Sequence, residues 1–196
     1  MSSLFDEDSS KHIMKTNVMK DDFGWEIPVE SVPLPSNGLV YNPDSKLYNA
    51  QTVQIKAMTA REEDILSSQA LLKEGKVLSY LIKSCLIDKS IDPDELLLGD
   101  RNALMVSIRI TGYGTDYHVR SECEACNHNN EIKIDLSNLG IKRLNIKPTA
   151  EGQNQFSFEL PITKKNVVFK FLNGKDDNER NIVKKFMQQQ SSQQIE

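Results

Sequence analysis

The sequence predicts an α+β fold, and three observations carry that reading. Between residues 59 and 111 the apolar side chains recur at the three-and-four spacing of helices. The stretches on either side of that block alternate apolar with polar residues, as strands with one buried face do. A further helical pattern begins near Asp176. Strands, helices, strands and a helix in that order are segregated rather than interleaved, the α+β pattern. The expected architecture is a central helical layer, an αα-hairpin plus one buried helix, packed with antiparallel strands. A knuckle-like β-hairpin at 115–136 and a C-terminal helix complete it. The 196 residues divide into a mobile N-terminal arm over 1–30, a single α+β domain over 31–188 and a polar tail over 189–196.

The elements follow in chain order. Phe23, Trp25, Ile27 and Val29 alternate as on one face of an extended segment. Pro28, Pro33 and Pro35 exclude helix and disfavour a central strand. Asn37-Gly38 marks a turn, because both residues take positive φ at low cost. NGLVY and AQTVQIKAM then read as two strands. Thr59 and Glu62 form a capping box that opens a helix running to about Glu74, with Gly75 as its stop. Val77, Leu78, Leu81, Ile82, Cys85 and Leu86 give the second helix of the hairpin. Pro93 fits the first turn of a short helix. Asp100 caps the buried helix, whose residues Leu104, Met105, Val106, Ile108 and Ile110 leave almost no polar side, and Gly112 and Gly114 end it. TDYHVRSE and EIKIDLSNL alternate around a cysteine turn. Two more strands carry Phe156, Phe158 and Leu160, then Val167, Phe169 and Phe171. Asp176 and Glu179 resemble a capping box for the last helix.

Composition excludes several functions. The net charge is −4 with no long Lys/Arg block, so the footprint of a nucleic-acid binder is missing. No apolar run approaches the roughly 20 residues of a membrane span. The N-terminal residues lack the apolar core of an export signal, and three cysteines cannot all pair within one chain, so reduced thiols in a cytoplasm are expected. No nucleophile elbow, zinc-protease motif or phosphate loop is present. The expectation is therefore a protein that is not an enzyme and has no small-molecule substrate. The alternative centre for an enzyme, Asp100, Arg109 and the acids of REED at 61–64, reads more simply as a structural ion pair and first-turn acids.

Cys123-x-x-Cys126 between two strands is the setting of a zinc knuckle, and Asn127 can take the left-handed conformation such a turn needs. A structural zinc site takes four ligands. His118 and His128 are the nearest further donors, and there is no second Cys-x-x-Cys. Metal ligation by Cys123, Cys126, His128 and His118 is one reading; a turn that keeps the knuckle shape without zinc, and hence no cofactor, is the one the ligand count favours. A redox pair fits less well, because that motif opens a helix. The other candidate site is the arm: Phe23, Trp25, Ile27 and Val29 offer an extended apolar face that a partner could cover, with Trp25 as anchor.

MTAREEDILSSQALLKEG, GDRNALMVSIRITGYGTDYHV followed by CEAC, and FELPITKKNVVFKFLNGKDDNE together resemble the baseplate hub-assembly proteins of T4-type tailed bacteriophages, from about Leu34 to about Lys185. The stretch from Gly99 to Cys126 is the most specific part. The resemblance implies a small non-enzymatic factor that binds other phage baseplate hub proteins, in the host cytoplasm during assembly or in the virion tail baseplate. It leaves open whether the protein stays in the particle or acts as a chaperone. The rival class is a small zinc-ribbon-like binding or adaptor module.

Overall fold

The structure, a computed structural model, describes residues 5–8, 17–20 and 24–180. It is α+β, with all its named strands paired antiparallel. Strand β1 spans Phe5–Asp8 and β2 spans Asn17–Lys20. β3 (Glu26–Pro33) and β4 (Thr52–Lys56) join β2 in a three-stranded sheet of order β2-β3-β4. Helices α1 (Ala60–Ser67), α2 (Gln69–Glu74), α3 (Val77–Cys85) and α4 (Leu98–Tyr113) form the helical layer. Strands β5 (Asp116–Glu122) and β6 (Asn129–Asp135) make one two-stranded ribbon. β7 (Ile141–Leu144) pairs with β1, and β8 (Phe156–Glu159) pairs with β9 (Asn166–Phe169).

The core lies between the β3–β4 pair and helices α3 and α4. Val32, Val53 and Ile55 from the sheet meet Leu81, Ile82 and Cys85 from α3 and Leu104 and Ile108 from α4. Residues 34–50 wrap one end and contribute Leu34, Val40, Tyr41 and Leu47. Phe156 closes the other side, stacked on Phe169 at 5.6 Å and edge-on to Phe171 at 5.0 Å between ring centres. Gly38 is indispensable to the wrap: its φ is +72°, and a Cβ there would stand 2.5 Å from the Leu47 carbonyl and against the Ala50 amide.

Several expectations are corrected. β3 is the middle strand of its sheet despite its prolines. Pro33 ends the β3–β4 pairing, which runs from Val29↔Lys56 to Pro33↔Thr52, and Pro28 stands one residue before its start, opposite Val18 in the β2–β3 pairing. The Pro28 carbonyl accepts from the Ala57 amide at 2.9 Å, so its missing donor lies at the end of the ladder. Residues 26–30, expected as the end of the arm, belong to β3. NGLVY is not a strand: Asn37 donates to Leu34 and Leu39 to Ser36, turn bonds that use the amides a ladder would need. The first helix breaks at Ser68, whose hydroxyl accepts from Leu71 N–H and caps α2. Pro93 lies in a turn held by Asp92, not in a helix. Leu97 is the N-cap of α4, and Asp100 stands in its first turn, facing inward. Gly112 is inside α4; Gly114, at φ +79°, ends it. Asn173, not Glu179, is the capping partner of Asp176: each backbone N–H donates to the other's side chain, at 2.9 and 3.1 Å, and helix follows over 174–180. Its expected continuation and the tail at 189–196 lie outside the described residues, as does half of the arm, Phe23 included.

Candidate protein-binding surface

The polar groups inside the domain are engaged with one another. Asp100 is fully buried, and its carboxylate accepts from Ser36 N–H (3.0 Å), the Ser36 hydroxyl (2.6 Å) and the Tyr41 hydroxyl (2.5 Å). The Tyr41 oxygen in turn accepts from Leu97 N–H at 3.0 Å, which ties the wrap at 34–50 to the start of α4. Burial raises the Asp100 carboxyl above its ordinary value, against the pull of those donors. Glu62 of the REED sequence is also fully buried. It accepts from Lys56 Nζ (2.8 Å), Thr59 N–H (2.9 Å), and the hydroxyls of Thr59 and Ser84 (2.5 Å each). Burial pushes its carboxyl up, but Lys56, Ser84 and Thr59 outweigh burial and bring it to about 2. Arg101 donates to Asp94 at 3.0 Å and to the Ser79 hydroxyl at 3.3 Å.

Arg109 does not fill the ion-pair role expected of it. Its guanidinium donates to the carbonyls of Gly114 (3.2 Å) and Asp116 (3.4 Å) and lies over the rings of Tyr113 and Tyr117, at 4.8 and 5.8 Å. It therefore fastens the end of α4 to the start of β5. Arg101 is the buried arginine, on the same face as Leu104 and Ile108. Asp100, Arg109 and Glu62 are thus held by separate sets of neighbours, and Glu63 and Asp64 of the same sequence are exposed.

At the cysteine turn, Cys123 N–H donates to the His128 carbonyl (2.9 Å) and Asn127 N–H to the Cys123 carbonyl (2.8 Å). Asn127 has φ +54°, the left-handed conformation the sequence anticipates. Amides of Ala125 and Cys126 stabilise the Cys123 thiolate and lower its pKa. Cys123 is half-buried and Cys126 exposed. His118 stands opposite Lys133, whereas the tip pairs Glu122 with Asn129, so His118 is some 16 Å down the strand from Cys123 at ~3.3 Å per residue. Among the described residues no group of three or more His, Cys, Asp or Glu side chains is placed to hold a metal ion. Cys123 and Cys126 come together, with His128 beside them in the turn; His118 does not join them.

The exposed apolar surface lies on the ribbons. The register Tyr117↔Ile134 and Val119↔Ile132 puts these four residues on one face of β5–β6. Tyr117, Ile132 and Ile134 are exposed, and so is Tyr113 at the adjoining end of α4. The opposite face is charged and self-paired, Arg120 to Glu131 (2.9 Å) and Lys133 to Asp116 (2.8 Å). On β8–β9, Phe158 pairs with Val167 and both are exposed, as is Ile162 in the connecting turn. Of the arm residues, Trp25 is 74% exposed, Ile27 is half-buried and Val29 is buried in its own sheet. The alternation around the cysteine turn is visible in the sequence; that its apolar face stays partly exposed among the described residues is not.

Buried polar networks inside and apolar ribbons at the surface describe an α+β protein among the described residues. The family described as T4 bacteriophage base plate protein matches residues 34–195, and the chain belongs to that family. No curated protein and no solved structure matches it. It is a bacteriophage baseplate protein, and binding to other phage proteins comes with that role. No helix among the described residues is long and apolar enough to cross a membrane.

Proposed function

We propose that this baseplate protein is a component of the central hub or a chaperone of hub assembly, acting by binding other hub proteins and not by catalysis. The observation that carries this reading is the exposed apolar face of β5–β6, Tyr117, Val119, Ile132 and Ile134, continued by Tyr113. Tyrosine and arginine are enriched among the residues that supply most of the energy at interfaces, and here Tyr113 and Tyr117 stand beside Arg109 with the aliphatic residues around them. Their charged counterparts are already paired on the other face. The resemblance of Gly99–Cys126 to hub-assembly proteins supports the hub, and that stretch includes the whole of this ribbon's first strand and all of α4 but Leu98. Such a factor works in the host cytoplasm while the tail is built. The three buried carboxylate and guanidinium networks have structural partners, which supports a non-catalytic role.

The test is co-purification of wild type and Ile132→Ser from infected cells, with the bound phage proteins identified by mass spectrometry. Wild type should bring down hub proteins and the variant should lose them, while both melt at the same temperature. Unchanged co-purification, or recovery of peripheral baseplate proteins without hub proteins, would overturn the reading.

A further inference from the structure

A second surface is built differently. Strand β7 pairs antiparallel with β1, in the register Phe5↔Leu144, Asp6↔Arg143, Glu7↔Lys142, Asp8↔Ile141. On its inner side β7 is anchored to the domain: Leu144 N–H donates to the Pro35 carbonyl at 2.8 Å, and the Arg143 guanidinium to Asn37 Oδ1 at 2.9 Å. Backbone groups alternate sides along a strand. With Leu144 N–H turned to Pro35, the groups of β7 that face outward are those of Ile141 and Arg143, opposite Asp8 and Asp6. Two basic residues of β7 therefore stand opposite two acids in an otherwise short pairing. Beside the strand runs an apolar groove of about 610 Å³, with Ile141 and Leu144 on one wall and Leu98, Val106 and Leu139 among the others.

We propose that the outer edge of β7 is a strand-accepting site for an acidic, extended segment of a partner protein, and that Phe5–Asp8 holds this edge in the isolated chain. Three features select that occupant. The edge offers backbone donors and acceptors in ladder geometry, which an extended segment satisfies. Lys142 and Arg143 select acids at the two central positions. The groove receives apolar side chains that flank them. The resident strand is four residues long and pairs with one neighbour only among the named strands. A two-stranded ribbon of that size is marginal by itself, so a longer matching strand displaces it. This deepens the binding reading by naming the chemistry of one partner segment, and a synthetic peptide keeps its test separate from the identity of the hub.

The experiment titrates a peptide of residues 2–12 into the isotopically labelled full chain and follows backbone amides by NMR. Saturable shifts are expected at Ile141 and Arg143. Asp6→Pro removes a ladder donor from the resident strand. If that strand occupies the edge for nine-tenths of the time, the variant should bind the peptide about tenfold more tightly. Replacing the peptide's three acids by lysine, or making Lys142→Glu with Arg143→Glu in the chain, should weaken binding by about tenfold or more. The wild-type titration and the charge reversals stand even if Asp6→Pro does not fold. No saturable shift at Ile141 and Arg143, or equal binding of the lysine peptide, would overturn the proposal. So would a concentration-dependent dimer of wild type that Asp6→Pro abolishes, since the occupant would then be a second copy.

Discussion

Glu62→Gln isolates the electrostatics of one buried group. The substitution keeps the size of the side chain and the acceptor for Thr59, but it sets an amide against Lys56 Nζ, whose side chain is 17% exposed. In the wild type the carboxyl is lowered from 4.5 to about 2. At ~1.36 kcal/mol per pK unit that fall corresponds to about 3 kcal/mol of stability. The sign follows from the direction. The folded carboxyl is depressed, so its contribution is fully present above the unfolded value of 4.5 and is lost as pH falls through about 2. Between those limits the unfolded chain holds a proton that the folded chain does not, and stability drops by about 1.4 kcal/mol per pH unit from this group alone.

Urea unfolding of wild type and Glu62→Gln at pH 7, 5, 4 and 3 measures this directly. The variant should be less stable by about 3 kcal/mol at pH 7, with an unchanged dependence on urea, and the gap should close steadily below pH 4.5. Comparing the two proteins at each pH removes the other titrating groups, including Asp100, whose raised carboxyl contributes with the opposite sign. A gap that is the same at pH 7 and pH 3 would refute the reasoning: the loss would then come from packing and not from the charge.

Four further outcomes are expected. Tyr41→Phe removes a donor to Asp100 and the acceptor for Leu97 N–H, both buried, and should cost about 2–3 kcal/mol in urea unfolding. Gly38→Ala should cost more than ~2 kcal/mol, from positive φ and backbone clash, whereas Gly140→Ala, with nothing within 4 Å of its Cβ, should change the melting temperature little. Cys123 should alkylate fastest of the three cysteines at pH 7 by mass spectrometry, and Cys85, buried and pushed up to about 12, should not react until the chain unfolds; Cys123→Ser with Cys126→Ser should leave unfolding cooperative, and protein purified without chelator should carry well under one zinc per chain. Trp25→Ala should leave the melting temperature near wild type but weaken hub-protein binding by about 2 kcal/mol; a large fall in melting temperature with binding intact would place Trp25 in the protein's own packing.

What could be read from the sequence was local. The Thr59–Glu62 box, the left-handed Asn127, the turn at Asn37-Gly38 and the stop at Gly75 each depend on residues within a few positions, and each stands in the structure. Lys56 and Ser84 on Glu62, or Ser36 and Tyr41 on Asp100, are brought by packing across as many as 64 residues, and nothing in a single sequence pairs them. Two errors had signals that were available. Arg101 shares the three-and-seven spacing of Leu104 and Ile108, which marks it as the buried arginine, whereas Arg109 falls outside that face. Asn173-x-x-Asp176 matches a capping pattern as well as Asp176-x-x-Glu179 does, and asparagine is the better N-cap. The middle position of β3 could not be read, because proline is excluded only where its nitrogen would have to donate, and the sequence does not show that the Pro28 nitrogen faces β4 just beyond the end of that pairing.

The division between interior and ribbons makes the binding reading separable from stability. Glu62, Asp100 and Arg101 join β4 to α1 and α3, the wrap at 34–50 to α4, and α3 to α4 through Ser79. Substitution there removes bonds that hold elements together, so both stability and binding should fall. The ribbons β5–β6 and β8–β9 place Ile132, Ile134, Phe158 and Val167 at the surface, outside the core cluster. Replacing these by polar residues takes away little of the core, so a loss of binding without a loss of stability is the pattern an assembly surface produces. A ribbon of two strands is also the form least able to hold its shape alone and most able to accept a covering face or a third strand. If ribbon variants instead unfolded the domain, these faces would belong to its own packing and the case for an assembly surface would fall with them.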